Sequence, residues 1–247
     1  MASKGLQEDL SVFQWKNNGW YYNDCRVQAD PHAHRFVVRY LSEHFNEASI
    51  LDLGSGNGAL AAQMLDAGFT VSTTSWNNQC KIGHETYEIN LDNGFKPEQV
   101  GGKQYNIITA IDIIEHVENP WAFLRSCSRA LEDNGLMIAS TPNLESARAR
   151  LEWLLTGCPS DFSPNQIAHN RHISPIWRAG FLAMAAQAGL KVKEQYAFGR
   201  YVRNSRLKKK FFLLFEKLLP EHASGTTTLY LLTKTDKALN LGPANIY

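Results

Sequence analysis

The chain has little cysteine, no long apolar run and no excess of charge of either sign, and each shortage removes a class of protein. Cys25, Cys80, Cys127 and Cys158 are the only cysteines among 247 residues, and they form neither a CxxC pair nor a dense framework. A disulfide scaffold or a cysteine-held zinc is therefore not expected, nor is any other metal, and a reducing, cytoplasmic setting fits. No stretch approaches the ~20 apolar residues that span a bilayer, and the opening residues MASKGLQEDLSVFQW contain no signal-peptide core. Lys plus Arg number 25 against 24 Asp plus Glu, so no global field draws a polyanion and nucleic acid is not an expected partner.

What is present is the balance of a globular protein, 44% apolar and 20% charged. A chain of this length buries one sizeable core, which favours one α/β domain with elaborations over two independent domains. Residues 1 to about 30 are polar with scattered aromatics and no sustained period, and suggest a lid or collar. From Asp30-Pro31 the spacing of Phe36, Val37, Tyr40, Leu41 and Phe45 predicts a helix.

The apolar run Ile50-Leu51-Asp52-Leu53 then meets Gly54-Ser55-Gly56-Asn57-Gly58, after which Leu60, Met64 and Leu65 recur at helical spacing. Strand, glycine turn and helix are followed by β-branched alternation over Phe69 to Thr74, which completes a βαβ unit and implies a parallel sheet. Further strands are expected at Tyr87 to Leu91, Tyr105 to Ile111, Gly135 to Ser140, and near 190–197 and 226–233. Helices are expected at Pro120 to Leu131, 145–156 and 175–188. This alternation is the doubly wound class.

A glycine loop between the first strand and its helix allows a tight turn and close approach of a nucleotide-type cofactor at a helix N-terminus. The spacing Gly54-x-Gly56-x-x-Ala59 also satisfies the dinucleotide fingerprint, so an NAD-dependent oxidoreductase stays open, but the acidic residue expected about 20 positions on is absent.

ILDLGSGNGALAAQML at 50–65 and ITAIDIIEHVENPWAFLRSCSRALEDNGLMIASTPN at 108–143 together resemble the class I S-adenosylmethionine (SAM) dependent methyltransferases, over about 50 to 197. Within that class the stretch Asp112, Glu115, His116, Pro120 resembles small-molecule O- and N-methyltransferases. The resemblance implies an α/β, Rossmann-like, seven-stranded, mostly parallel sheet with helices on both faces, an N-terminal helical collar (1–46), a core (47–197), a late helical insertion (198–222), a final strand (223–235) and a tail (236–247). It implies SAM as cofactor, its methionine end held by Asp52, Gly54, Ser55, Gly56, Asn57 and Gly58, with Asp112 and Ile113 bordering the same site. Asn90 and Leu91 take the adenine-edge position. At the ribose position the family usually has Asp or Glu, whereas this chain has Ser75 followed by Trp76. A neutral hydroxyl replaces two charge-assisted bonds there, at a cost of roughly 1 to 2 kcal/mol, and Trp76 offers a stacking face for adenine.

Methyl transfer needs alignment and exclusion of water more than it needs many catalytic groups. A hydroxyl acceptor must lose a proton, and His172, with His116 as the second candidate, is expected to border the pocket as base. His32 and His34 lie in the collar without an assigned role. The chain lacks the tetrapeptide that amino-directed nucleic-acid methyltransferases carry after the fourth strand, so a small molecule or sugar precursor is the expected acceptor. A non-catalytic subunit with weakened SAM binding is the alternative that Ser75 leaves open.

Between Arg200 and Lys217 seven basic residues stand against Glu216 alone, while Leu207, Phe211, Leu214, Phe215 and Leu218 share one helical face. Leu207 to Leu219 is thus a basic amphipathic stretch, suited to peripheral contact with an anionic membrane, to a lid over substrate, or to plain packing.

Overall fold

The structure, a computed structural model, describes residues 3–6, 8–77, 80, 82–199 and 219–235. Its strands are β1 (Ser3–Leu6), β2 (Gln14–Lys16), β3 (Gly19–Tyr22), β4 (Cys25–Arg26), β5 (Ser49–Asp52), β6 (Thr70–Ser75), β7 (Glu85–Glu88), β8 (Tyr105–Ala110), β9 (Leu131–Pro142), β10 (Leu190–Phe198) and β11 (Thr227–Lys234). The helices are α1 (Pro31–His44), α2 (Ala59–Asp66), α3 (Pro120–Ala130), α4 (Ala147–Thr156), α5 (Pro164–Asn170) and α6 (Arg178–Gln187).

One sheet runs in the order β1-β10-β11-β9-β8-β5-β6-β7. Strands β7, β6, β5, β8 and β9 are mutually parallel, and β11 is antiparallel to both β9 and β10. Seven strands stand near the expected places, but the third runs Glu85–Glu88, so that Ile89 to Leu91 of the expected Tyr87 to Leu91 lie in the loop after it, and the collar adds an eighth, β1, parallel to the outer edge of β10.

Side-chain alternation divides the core into two layers. Leu51, Leu53, Ile108, Ala110 and Met137 face Phe123, Leu124 and Phe181. Their neighbours Ile50, Ile107 and Ile138 face Val37, Leu41, Leu60 and Met64. Strands buried on both sides read as near-continuous apolar runs, which is why β5 and β8 are so plain in the sequence.

The helix starts also follow local chemistry. Asp30 caps α1 by accepting the His32 N–H and Asn119 caps α3 by accepting the Ala122 N–H, with proline at the first helical position in each. Ahead of the expected collar helix lies a three-stranded antiparallel sheet, β2-β3-β4, which packs Phe13 and Val27 against Ala59.

Position follows from topology. The chain winds from β5 outward to β7 and then crosses back to β8 on the other side of β5. Loops leaving the carboxyl ends of β5 and β8 therefore diverge and open a crevice at that switch point. The basic stretch Leu207 to Leu218 and the tail 236–247 lie outside the described residues. Among the described residues, no helix is long and apolar enough to cross a membrane.

Candidate active site

The crevice holds a cleft of about 770 Å³, lined in part by the collar segment Arg26 to Ala29. Its floor is the β5 turn. Gly54, Gly56 and Gly58 all have positive φ (68°, 52° and 87°), a region costing L side chains roughly 1–2 kcal/mol. Space is short as well: a Cβ on Gly54 would lie 2.4 Å from Ile113 Cδ1, and one on Gly56 would lie 2.0 Å from Gln28 Oε1. Gly58 forms the left-handed entry to α2.

Asp52 ends β5 at 2% exposure. Its Oδ1 accepts the Thr109 hydroxyl at 2.7 Å, while Oδ2 is buried without a partner. Burial pushes this carboxyl up to about 6, against the pull of the Thr109 bond and of the nearby Ser55 hydroxyl, which itself donates to the Asp52 backbone carbonyl at 2.8 Å. An orphaned buried carboxylate oxygen calls for a cation or donor that the described residues do not supply.

The β8 turn forms the opposite wall. Asp112 sits at φ 49°, its N–H donated to Ser140 Oγ at 2.9 Å while that hydroxyl donates to Asp112 Oδ1. Burial raises its carboxyl to about 6. Glu115 is fully buried, its side-chain oxygens making no hydrogen bond of ordinary geometry among the described residues, and burial, reinforced by Asp112 and opposed by its own N–H and the Thr141 hydroxyl, holds its carboxyl well above the usual range. Its backbone carbonyl accepts the N–H groups of Ile173 (3.0 Å) and Ser174 (2.9 Å). Those two bonds tie the segment after α5 to the β8 turn.

They bring His172 beside His116, ring centroids 4.7 Å apart and edge to face. His172 Nδ1 lies 2.7 Å from the Asp161 backbone carbonyl. A carbonyl only accepts, so Nδ1 is the donor in this contact and Nε2 is the ring nitrogen left for other partners. Burial lowers His116 to about 4, with His172 as the second cause. Arg171, left-handed at φ 56°, reaches back to Asp92 Oδ2 at 2.7 Å and Glu118 at 3.3 Å.

Of the residues singled out from sequence, Asp52, Gly54, Ser55, Gly56, Ser75, Trp76, Asn90, Leu91, Asp112, Ile113, His116 and His172 all line this one cleft. Asn57 and Gly58 do not: the Asn57 N–H is donated to Gln28 Oε1 at 3.0 Å, and Gly58 turns inward under Ile82. Ser75 Oγ accepts the Cys80 N–H at 3.1 Å. Trp76 is half exposed beside it. Of the collar histidines, His34 lines the cleft, while His32 accepts the Glu8 N–H instead.

Sequence reasoning missed Gln28, which reaches the glycine turn because the collar folds over it, and Arg26, which lines the same cleft. It also missed Asp92, which anchors Arg171. No local spacing marks Gln28 or Asp92, which meet Asn57 and Arg171 across 29 and 79 positions.

A family model described as a methyltransferase domain matches residues 26–195. A ubiquinone biosynthesis O-methyltransferase from Caulobacter vibrioides is 29% identical over 177 residues, covering 65% of this chain and 69% of the relative. One from Rickettsia bellii is 24% identical over 179 residues, covering 67% and 73%. Among solved structures, the CcbJ methyltransferase from Streptomyces caelestis superposes with a TM-score of 0.55 at 14% identity, over 84% of this chain and 91% of that one. A SAM-dependent methyltransferase from Mesorhizobium loti gives 0.52 at 14%, over 81% and 97%. At such identity the solved structures speak for the fold.

Proposed function

The chain belongs to the methyltransferase-domain family, and from that premise we propose that it moves the methyl group of SAM to a hydroxyl of a small molecule or sugar precursor. It is a SAM-dependent methyltransferase, so neither the dinucleotide reading nor the non-catalytic one is retained. The O-methyltransferase names of the relatives support a hydroxyl over an amine.

The observation that carries the reading is the unpartnered Asp52 oxygen at the head of the glycine turn. An ammonium group satisfies it, and a pyrophosphate does not. In this reading Asp52 and the backbone of Gly54 to Gly56 hold the amino-acid end of the cofactor, Ser75 and Trp76 the ribose and adenine, and Asn90 and Leu91 the adenine edge. When bound, the cofactor supplies a methyl group already activated by its sulfonium. The chain's own residues then align the acceptor and shut out water, with the collar as the wall that does the latter. His116 and His172 stand where the acceptor proton has to be drawn off.

The whole chain acts as one domain, core 47–197, with collar and insertion as elaborations. For Leu207 to Leu219 we add peripheral contact with an anionic membrane, on the strength of its charge pattern alone. Calorimetry with S-adenosylhomocysteine and with NAD, followed by a screen of sugars and phenolics for SAM-dependent mass gain, tests the proposal. Binding of the dinucleotide in place of the thioether would overturn it.

A further inference from the structure

We infer that Arg171 is a positioning residue that couples the cofactor side of the cleft to the acceptor side, by tying the segment that carries His172 to the adenine-edge loop. The inference deepens the proposed function and rests on it in placing adenine at Asn90 and Leu91.

Arg171 ends α5 with a left-handed backbone, φ 56° and ψ 37°. A glycine adopts that conformation freely, whereas an L side chain meets steric resistance there and keeps it where the surroundings over-determine it. Two carboxylates do so here. Arg171 Nη2 donates to Asp92 Oδ2 at 2.7 Å and to Glu118 Oε1 at 3.3 Å. Asp92 is 7% exposed, so its end of the bridge is shielded from the water that weakens an open surface pair.

Three segments meet at Asp92. Its N–H is donated to Asn90 Oδ1 at 2.8 Å, within the adenine-edge loop. Its Oδ1 accepts the Glu118 N–H at 3.3 Å and its backbone carbonyl accepts the N–H of Asn119, the cap of α3, at 2.7 Å. Arg171 makes the third connection. Among the described residues, no other hydrogen bond or ion pair joins residues 89–92 to residues 171–174. The residue after Arg171 is His172, whose Nδ1 lies 2.7 Å from the Asp161 carbonyl, and both ends of the bridge line the cleft.

The two sides are thereby linked. A nucleoside that fixes Asn90 and Leu91 also fixes Asp92, and through Arg171 the backbone from which His172 projects. Occupancy of the cofactor end favours the acceptor-binding arrangement, and by reciprocity a bound acceptor tightens the hold on the cofactor. Arg171 acts through His172 and not on the reacting atoms.

The test uses the full chain, labelled at its histidine rings for NMR, with S-adenosylhomocysteine as the probe and its affinity read by calorimetry. The His172 ring resonances are assigned by their loss in His172→Gln, and in wild type the ligand should shift them. Arg171→Gly keeps the left-handed turn without the guanidinium, so it should hold the ligand within a few-fold of wild type and lose the His172 response. Asp92→Asn should lose that response from the other end of the bridge, the double variant should lose no more than either single, and Arg171→Lys should restore it. A His172 ring indifferent to the ligand in wild type, or one that responds as fully in Arg171→Gly and Asp92→Asn, overturns the inference. Loss of ligand binding in Arg171→Gly also overturns it, since Arg171 would then serve the cofactor directly. Should wild type not bind S-adenosylhomocysteine, the proposed function falls and the inference is decided without ligand: the His172 resonances should differ between wild type and Arg171→Gly, and identical spectra overturn it.

Discussion

Thr109 donates its hydroxyl to one oxygen of Asp52 at 2.7 Å and leaves the other bare, so two neighbouring strands meet at a half-satisfied carboxylate. Its protonation sets a pH dependence. The folded carboxyl, at about 6, lies above the unfolded value near 4. The ligand-free protein therefore draws stability from neutral Asp52 that is complete below about pH 4 and lost as pH rises through 6. Cofactor binding needs the ionised form and runs the other way. Affinity for S-adenosylhomocysteine should climb between pH 5 and 7, with proton release in calorimetry, and Asp52→Asn should flatten that climb. Asp52→Ala should cost at least ~100-fold, since removing one member of a buried charge pair costs about 3–5 kcal/mol.

Gly54→Ala should push Ile113 toward the cleft, because the new Cβ would lie 2.4 Å from its Cδ1. Strain at φ 68° adds about 1–2 kcal/mol, a fall of several degrees in Tm for a chain of this size. Thermal melts with and without S-adenosylhomocysteine should show both the fall and a smaller ligand-induced rise. Gly56→Val should abolish binding by displacing Gln28.

Ser75→Asp restores an acceptor at the end of β6. The wall is already formed, with Ser75 4% exposed, so affinity should rise by roughly 5- to 30-fold, the equivalent of about 1–2 kcal/mol. An unchanged or weaker affinity would mean that the Cys80 N–H, now bonded to Ser75, captures the new carboxylate.

Replacing Lys208, Lys209 and Lys210 with Gln should weaken binding to anionic vesicles by roughly 100-fold, read by co-sedimentation, at about 1 kcal/mol for each of the three charges near the surface. Undiminished sedimentation would remove the membrane contact.

The sheet was legible because its signals are local. Ile50/Leu51 and Ile107/Ile108 alternate between two buried layers, and proline or glycine punctuates the helices. The collar strands were harder, at two to four residues each. Their one sign was Asn17-Asn18, a two-residue turn with φ 50° and 56°, the left-handed pair that joins a tight hairpin. The helix α5 was also missed, although Ser163 before Pro164 caps it. The cofactor end of the site could be read from the glycines. The acceptor end could not, since Glu115 meets His172 through backbone bonds to Ile173 and Ser174 that span nearly sixty positions of chain.

The pairing of β1 with β10 gives the first few residues a protective duty. Without them β10 would display a bare row of amide and carbonyl groups along its outer side, an invitation to strand-by-strand association with another molecule. A chain shortened ahead of Glu8 would thus be expected to keep its fold and lose its solubility.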